Sequence, residues 1–197
     1  MTFVELSKYL RQMRANRSGR PFSAAMRAME VWQCAIECES NGVAEIIYSE
    51  VRLPRPFDGV FSRHRPIGGG GDLVEIFVHR PNSKAKQIPS HWKEFIVIKE
   101  LMHCWSPAST FQGTPAAVSD LVNDLNTPAS RYGTGAAADQ SAIFAASEVI
   151  LDHETVERSL AEKVSLDEIA VRHGLHPEIV NFICQHHFMA ERKSGRL

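Results

Sequence analysis

The sequence predicts an α+β fold, a small sheet of about three strands packed with helices. Three observations carry that expectation. Apolar residues recur at helical spacing at both ends of the chain. Two runs rich in β-branched residues lie in its first half, between clusters of proline and glycine. A largely apolar stretch, residues 95–102, interrupted only by Lys99 and Glu100, follows them and suits a helix buried in the middle of the domain.

Residues 2–15 predict a short helix, because Phe3, Val4, Leu6, Leu10 and Met13 fall on one face, and Asn16-Arg-Ser-Gly-Arg-Pro21 ends it. Ser23 is placed to cap a second helix over about 24–40, which carries Met26, Met29, Trp32, Ile36, Cys34 and Cys38. Residues 43–48 and 51–53 read as strand, and residues 73–79 read as another. The connection between them holds Pro54, Pro56, Pro66 and Gly68 to Gly71 and reads as one long turn-rich segment. A loop over 80–89 leads to the apolar helix, with Ser90 as its expected N-cap. Beyond Pro107 a helix is expected to end near Asn126, followed by a loop over 127–135. Residues 136–151 favour helix by their alanine content. The tail predicts helices over about 154–172, with a weak point at Val164-Ser165, and over 176–189. The chain thus divides into N-terminal helices (1–40), a core (41–153) and a C-terminal helical segment packed on the core (154–197).

With 197 residues, 44% of them hydrophobic, the chain can bury one adequate core. Its net charge of −1, with scattered Lys and Arg, argues against a broad surface for nucleic acid or anionic lipid. No apolar run approaches the roughly 18 residues of a membrane span, and the N-terminus lacks a signal-peptide layout. Cys34, Cys38, Cys104 and Cys184 form no C-x-x-C pair, so a cytoplasmic protein with reduced thiols is expected. Cys34 and Cys38, among Met29, Trp32 and Ile36, read as buried inert thiols.

The apolar helix carries Lys99-Glu-Leu-Met-His103. In the H-E-x-x-H pattern of zinc peptidases, two histidines four residues apart share one helix face and grip a metal ion. The glutamate between them takes a proton from the metal-bound water. Glu100 and His103 fill the glutamate and second-histidine positions here, and Lys99 stands where the first histidine would be. An ammonium has no lone pair and repels a cation.

Three segments together resemble the ImmA/IrrE family of zinc-metallopeptidase-like domains. The first is Lys99-Glu-Leu-Met-His103 behind its apolar run. The second is Asp139-Gln-Ser-Ala-Ile-Phe-Ala-Ala-Ser-Glu-Val-Ile-Leu151, similar to the family's acidic-ligand helix with its F-A-A element. The third is Val164-Ser-Leu-Asp-Glu-Ile-Ala-Val-Arg-His-Gly-Leu-His176, similar to its closing segment. The resemblance spans roughly residues 40–185 and implies a zincin-like fold. It places the acidic ligand at Asp139 or Gln140, of which only Asp139 is anionic. The family's asparagine falls near Ala142 and its proline near Leu151, so the site departs from the pattern beyond Lys99. By the same resemblance the chain is a bacterial or prophage-type regulatory protein of stress or mobile-element control. Its partner or substrate is then a protein such as a transcriptional repressor, lying along an edge strand, for which residues 73–79 are the candidate.

Several readings follow. With zinc bound, His103 and Asp139 are the ligands, Glu100 is the general base, and a further ligand must come from Cys104, His91 or His153. In a degenerate site, Lys99 supplies the positive charge by pairing with Asp139 or Glu100, and the protein binds a partner without cleaving it. In the plainest reading, Lys99 snorkels to solvent and His103 is satisfied in the core. A separate possibility is a DNA-binding helix-turn-helix over 165–188. Its second helix offers Glu178, Asn181 and Gln185 but no Lys or Arg before Arg192, which is poor for phosphate contact.

Overall fold

The structure, a computed structural model, describes residues 1–54, 57–81, 87–106, 111–113 and 134–196. The fold is α+β. Its helices are α1 (Phe3–Ser18), α2 (Ala28–Glu37), α3 (Ser90–Met102), α4 (Thr134–Ile150), α5 (His153–Ala161), α6 (Leu166–His173), α7 (Pro177–Ile183) and α8 (His186–Ser194). Its strands are β1 (Val43–Val51), β2 (Gly59–His64), β3 (Asp72–His79) and β4 (Phe111–Gly113), in the spatial order β1-β3-β2-β4. β1 runs parallel to β3, whereas β2 is antiparallel to both β3 and β4.

α1 begins in a capping box, where the Thr2 hydroxyl accepts from the Glu5 amide and the Glu5 carboxylate accepts from the Thr2 amide. It ends at Gly19, whose φ of 66° closes the helix in the left-handed region. The second helix does not start after Ser23. Arg11 and Arg14, buried on α1, donate to the carbonyls of Pro21, Phe22, Ala24 and Ala25. Tied to α1 by these bonds, residues 21–25 are not helical, and α2 starts four residues later than expected, at Ala28. The apolar helix forms as expected, though Pro89, not Ser90, holds the N-cap position, and its α-helical part stops at Met102, with His103–Trp105 a 3-10 turn.

The turn-rich reading of residues 54–71 was incomplete, since it contains β2. Residue 73–79 is a strand as expected, but not an edge: β3 pairs with β1 on one side and β2 on the other. Val74, Ile76 and Val78 point into the core from this central position. Among the described residues the open edges belong to β1 and β4. The helix expected between Pro107 and Asn126 and the loop over 127–135 lie outside the described residues, with two exceptions: Phe111–Gly113 is strand β4, and residues 134–135 already belong to α4.

In the tail, the weak point at Val164-Ser165 is a true break. α5 ends at Ala161, and the Ser165 hydroxyl accepts the Glu168 amide to start α6. The helix expected over 176–189 is divided, because the guanidinium of Arg192 takes the Ile183 carbonyl where α7 stops.

α3 lies between the sheet and α4, so every residue from Phe95 to Met102 is buried. One hydrophobic cluster joins Phe3 and Leu10 of α1, Phe61 and Ile76 of the sheet, Phe95 and Leu101 of α3, Phe144 of α4, and Phe182 and Phe188 of the tail. Among the described residues no helix is long and apolar enough to cross a membrane.

Candidate functional site

Burial of α3 on both sides forces its polar residues to find partners inside the protein. Lys99 is 1% exposed and Glu100 and His103 are fully buried, so the lysine does not snorkel to solvent. The partner comes from α4, whose Asp139 is likewise buried. The Lys99 ammonium lies 2.9 Å from Glu100 Oε1 and 2.7 Å from Asp139 Oδ1. His103 Nε2 lies 3.2 Å from the same Asp139 oxygen and 3.8 Å from Glu100 Oε2. Asp139 therefore supplies the carboxylate that meets both Lys99 and His103.

Charge balance explains why Lys99 and Asp139 stay ionised. Burial alone pushes the Lys99 ammonium toward its neutral form, but Glu100 and Asp139 outweigh it and hold its pKa above the ordinary value. Burial raises Asp139, while Lys99 and then His103 more than reverse this and bring it down to about 2. An ionised Asp139 only accepts, so His103 Nε2 carries a hydrogen and donates it to Oδ1.

Donor atoms of Glu100, His103 and Asp139 lie within 4.8 Å of one another, a spacing at which such a group could hold a metal ion. Lys99 changes what the spacing permits. Its ammonium is bonded to two of the three groups, where a metal would need their oxygens for itself. With a fixed positive charge there, the residues do not fit a catalytic zinc ion.

The other candidate ligands are elsewhere. His153 Nδ1 is bonded to Glu148 at 2.8 Å, and His91 Nε2 to Glu178 at 3.0 Å. The Cys104 thiol is buried, which pushes its pKa up to about 12 and keeps it neutral. Cys34 is inert for the same reason, raised to about 11 by burial.

Two residues that frame the site went unrecognised in the sequence. Phe61 of β2 packs on His103, with ring centroids 5.4 Å apart. Gly59, at the start of β2, lies so close to α3 that a Cβ there would stand 2.5 Å from Glu100 Oε1 and 2.6 Å from Ile96 Cγ2. The alternation of Phe61 with its neighbours is a strand signal, but proline and glycine on both sides masked it.

The α6–α7 pair does form a helix-turn-helix, with Gly174 in the left-handed region at the turn. Its second helix carries no Lys or Arg, and Glu178 at its start is bonded to His91 and Trp92 of α3. Compared with protein-family profiles and with characterised proteins, the chain matches none.

Proposed function

We propose that this chain is a metallopeptidase-like protein of the ImmA/IrrE type in which the Lys99 ammonium takes the place of the metal, and that it acts by binding a protein partner. The observation that carries the reading is the pair of bonds from Lys99 Nζ to Glu100 and Asp139, 2.9 and 2.7 Å, in a buried group that otherwise has the composition of a peptidase site. Pairing with Lys99 ties up Glu100 Oε1, and with an ammonium in place of a metal that would activate a water, the scaffold is kept for binding rather than hydrolysis. Binding fits a regulatory role in bacterial stress or mobile-element control, with a repressor-like protein as partner. A strand added to the sheet would not pair with β3, which is saturated. Of the two open edges, β4 is the one that lies against α4, the helix of Asp139.

The alternative is an active zinc peptidase, with Glu100 as base and His103 and Asp139 as ligands. Asp139 Oδ2 favours it, being buried without a hydrogen-bond partner among the described residues. For catalysis, Lys99 must first abandon both carboxylates. Metal content of the untagged protein after zinc loading and dialysis separates the two. The binding reading expects no zinc whose retention depends on His103, and Lys99→His should create one. Retained zinc that is lost on His103→Ala, together with peptide cleavage lost on Glu100→Gln, would establish the peptidase instead.

A further inference from the structure

Away from the central group, His91, His176 and Glu178 also bring their donor atoms within 4.8 Å of one another. We propose that these three side chains form a surface site for a divalent transition-metal ion of the zinc class, which ties the α6–α7 turn to the start of α3. His91 stands on the first turn of α3, while His176 caps α7 and Glu178 lies in its first turn.

The donor set is two imidazoles and one carboxylate, which suits zinc, nickel or copper rather than calcium or magnesium. His91 Nε2 and Glu178 Oε2 are 3.0 Å apart. Two ligands on a tetrahedral zinc, each about 2.0–2.1 Å from the ion, stand roughly 3.3 Å apart, so this pair needs to open by only a few tenths of an ångström. The Trp92 indole N–H donates to the same Glu178 oxygen at 3.0 Å and fixes the carboxylate in place, as outer partners of metal ligands do.

The imidazoles set one geometric demand. They lie face to face, centroids 3.6 Å apart and planes 1° from parallel, so their in-plane lone pairs do not converge. One ring must turn. His176 is free to do so: it is exposed, and its Nδ1 is held by a long bond of 3.3 Å from the Glu178 amide. At His91, the ion replaces the hydrogen that Nε2 now shares with Glu178, and the ring takes a proton on Nδ1 and stays neutral. A cleft of about 410 Å³ beside the rings, lined also by Arg27 and Glu94, leaves room for water in the remaining coordination positions. Arg27 does not oppose the ion, because its guanidinium is paired with Glu94 at 2.7 Å and bonded to the Gly174 carbonyl.

The test is zinc titration of the untagged 197-residue chain by calorimetry, with cobalt absorption spectra as a second reading of nitrogen ligation. Wild type should bind one zinc with a rise in melting temperature. His176→Ala and His91→Gln should each weaken binding by at least about tenfold, and both folds should be unchanged by circular dichroism. Lys99→Met and His103→Ala, which alter only the central group, should leave the surface affinity as it is in any variant that stays folded. Absence of zinc binding in wild type overturns the proposal, as does binding that either histidine variant leaves intact.

Discussion

A lysine enclosed with two carboxylates is stable only as a member of the set, because each charge repays the desolvation of the others. Lys99→Met removes the cation and leaves Glu100 and Asp139 facing each other without it. The variant should lose about 3–5 kcal/mol of stability, read from urea denaturation midpoints. Adding Glu100→Gln and Asp139→Asn should restore part of that loss, since the uncompensated charge is then gone. Acidity makes a second, independent claim. Asp139 titrates near 2 in the folded chain against an ordinary value of 3.8, so its ionisation stabilises the fold above about pH 4. That contribution, on the order of 2 kcal/mol, disappears as pH falls from about 4 to 2. Lys99 acts in the opposite range: its raised pKa favours the fold at and below its ordinary 10.5, and the benefit is lost as pH rises beyond that value. Unfolding free energies across pH should therefore fall at both ends, and in Lys99→Met the alkaline limb attributable to the lysine should vanish. The residue types of this group were legible in the Lys99-Glu-Leu-Met-His103 spacing. Which of them were ionised was not, because burial and the charge on Asp139 come from another helix.

α3 and β2 meet at a place where only a hydrogen atom fits. Gly59 does not need a positive φ, so its role is one of space, and Gly59→Ala drives a methyl group into Glu100 and Ile96. The substitution should cost about 1–3 kcal/mol by overpacking, visible as a lower melting temperature. Ile96→Ala, which removes Cγ2, should make the added cost of Gly59→Ala smaller than in the wild-type background, read as non-additivity of the two substitutions. Elements with strong local periodicity, α1, α3, α4 and β3, were read close to their observed bounds. β2 was missed because its pairing with β3 and β4 is invisible in the local sequence, which opens with glycine and ends in Arg63 and His64. α2 was placed too early because two arginines on α1 tie the non-helical residues 21–25 to that helix through their carbonyls. Both errors have the same origin: a partner distant in sequence outbid the local preference.

The ends of the chain are bound into the same core. Thr2 bridges to Arg196, the Phe3 amide donates to the Gly195 carbonyl, and the Phe3, Phe144 and Phe188 rings follow one another across α1, α4 and α8. Arg192 of α8 reaches Glu148 of α4 at 2.9 Å, both side chains buried. A fragment of residues 41–153 loses the α1 and α8 surfaces that cover α4, and it should show no cooperative thermal transition, whereas the whole chain should unfold in one. Residue chemistry and spacing are local properties, and from them followed the α+β class and the buried helix with its lysine, glutamate and histidine, whereas Asp139 on α4 was singled out by the family resemblance. Whether the lysine met solvent or the two carboxylates, whether β3 was an edge, and where His91 found Glu178 depended on atoms that only the packed chain brings within 3 Å. A buried charge takes its state from neighbours that no stretch of sequence contains.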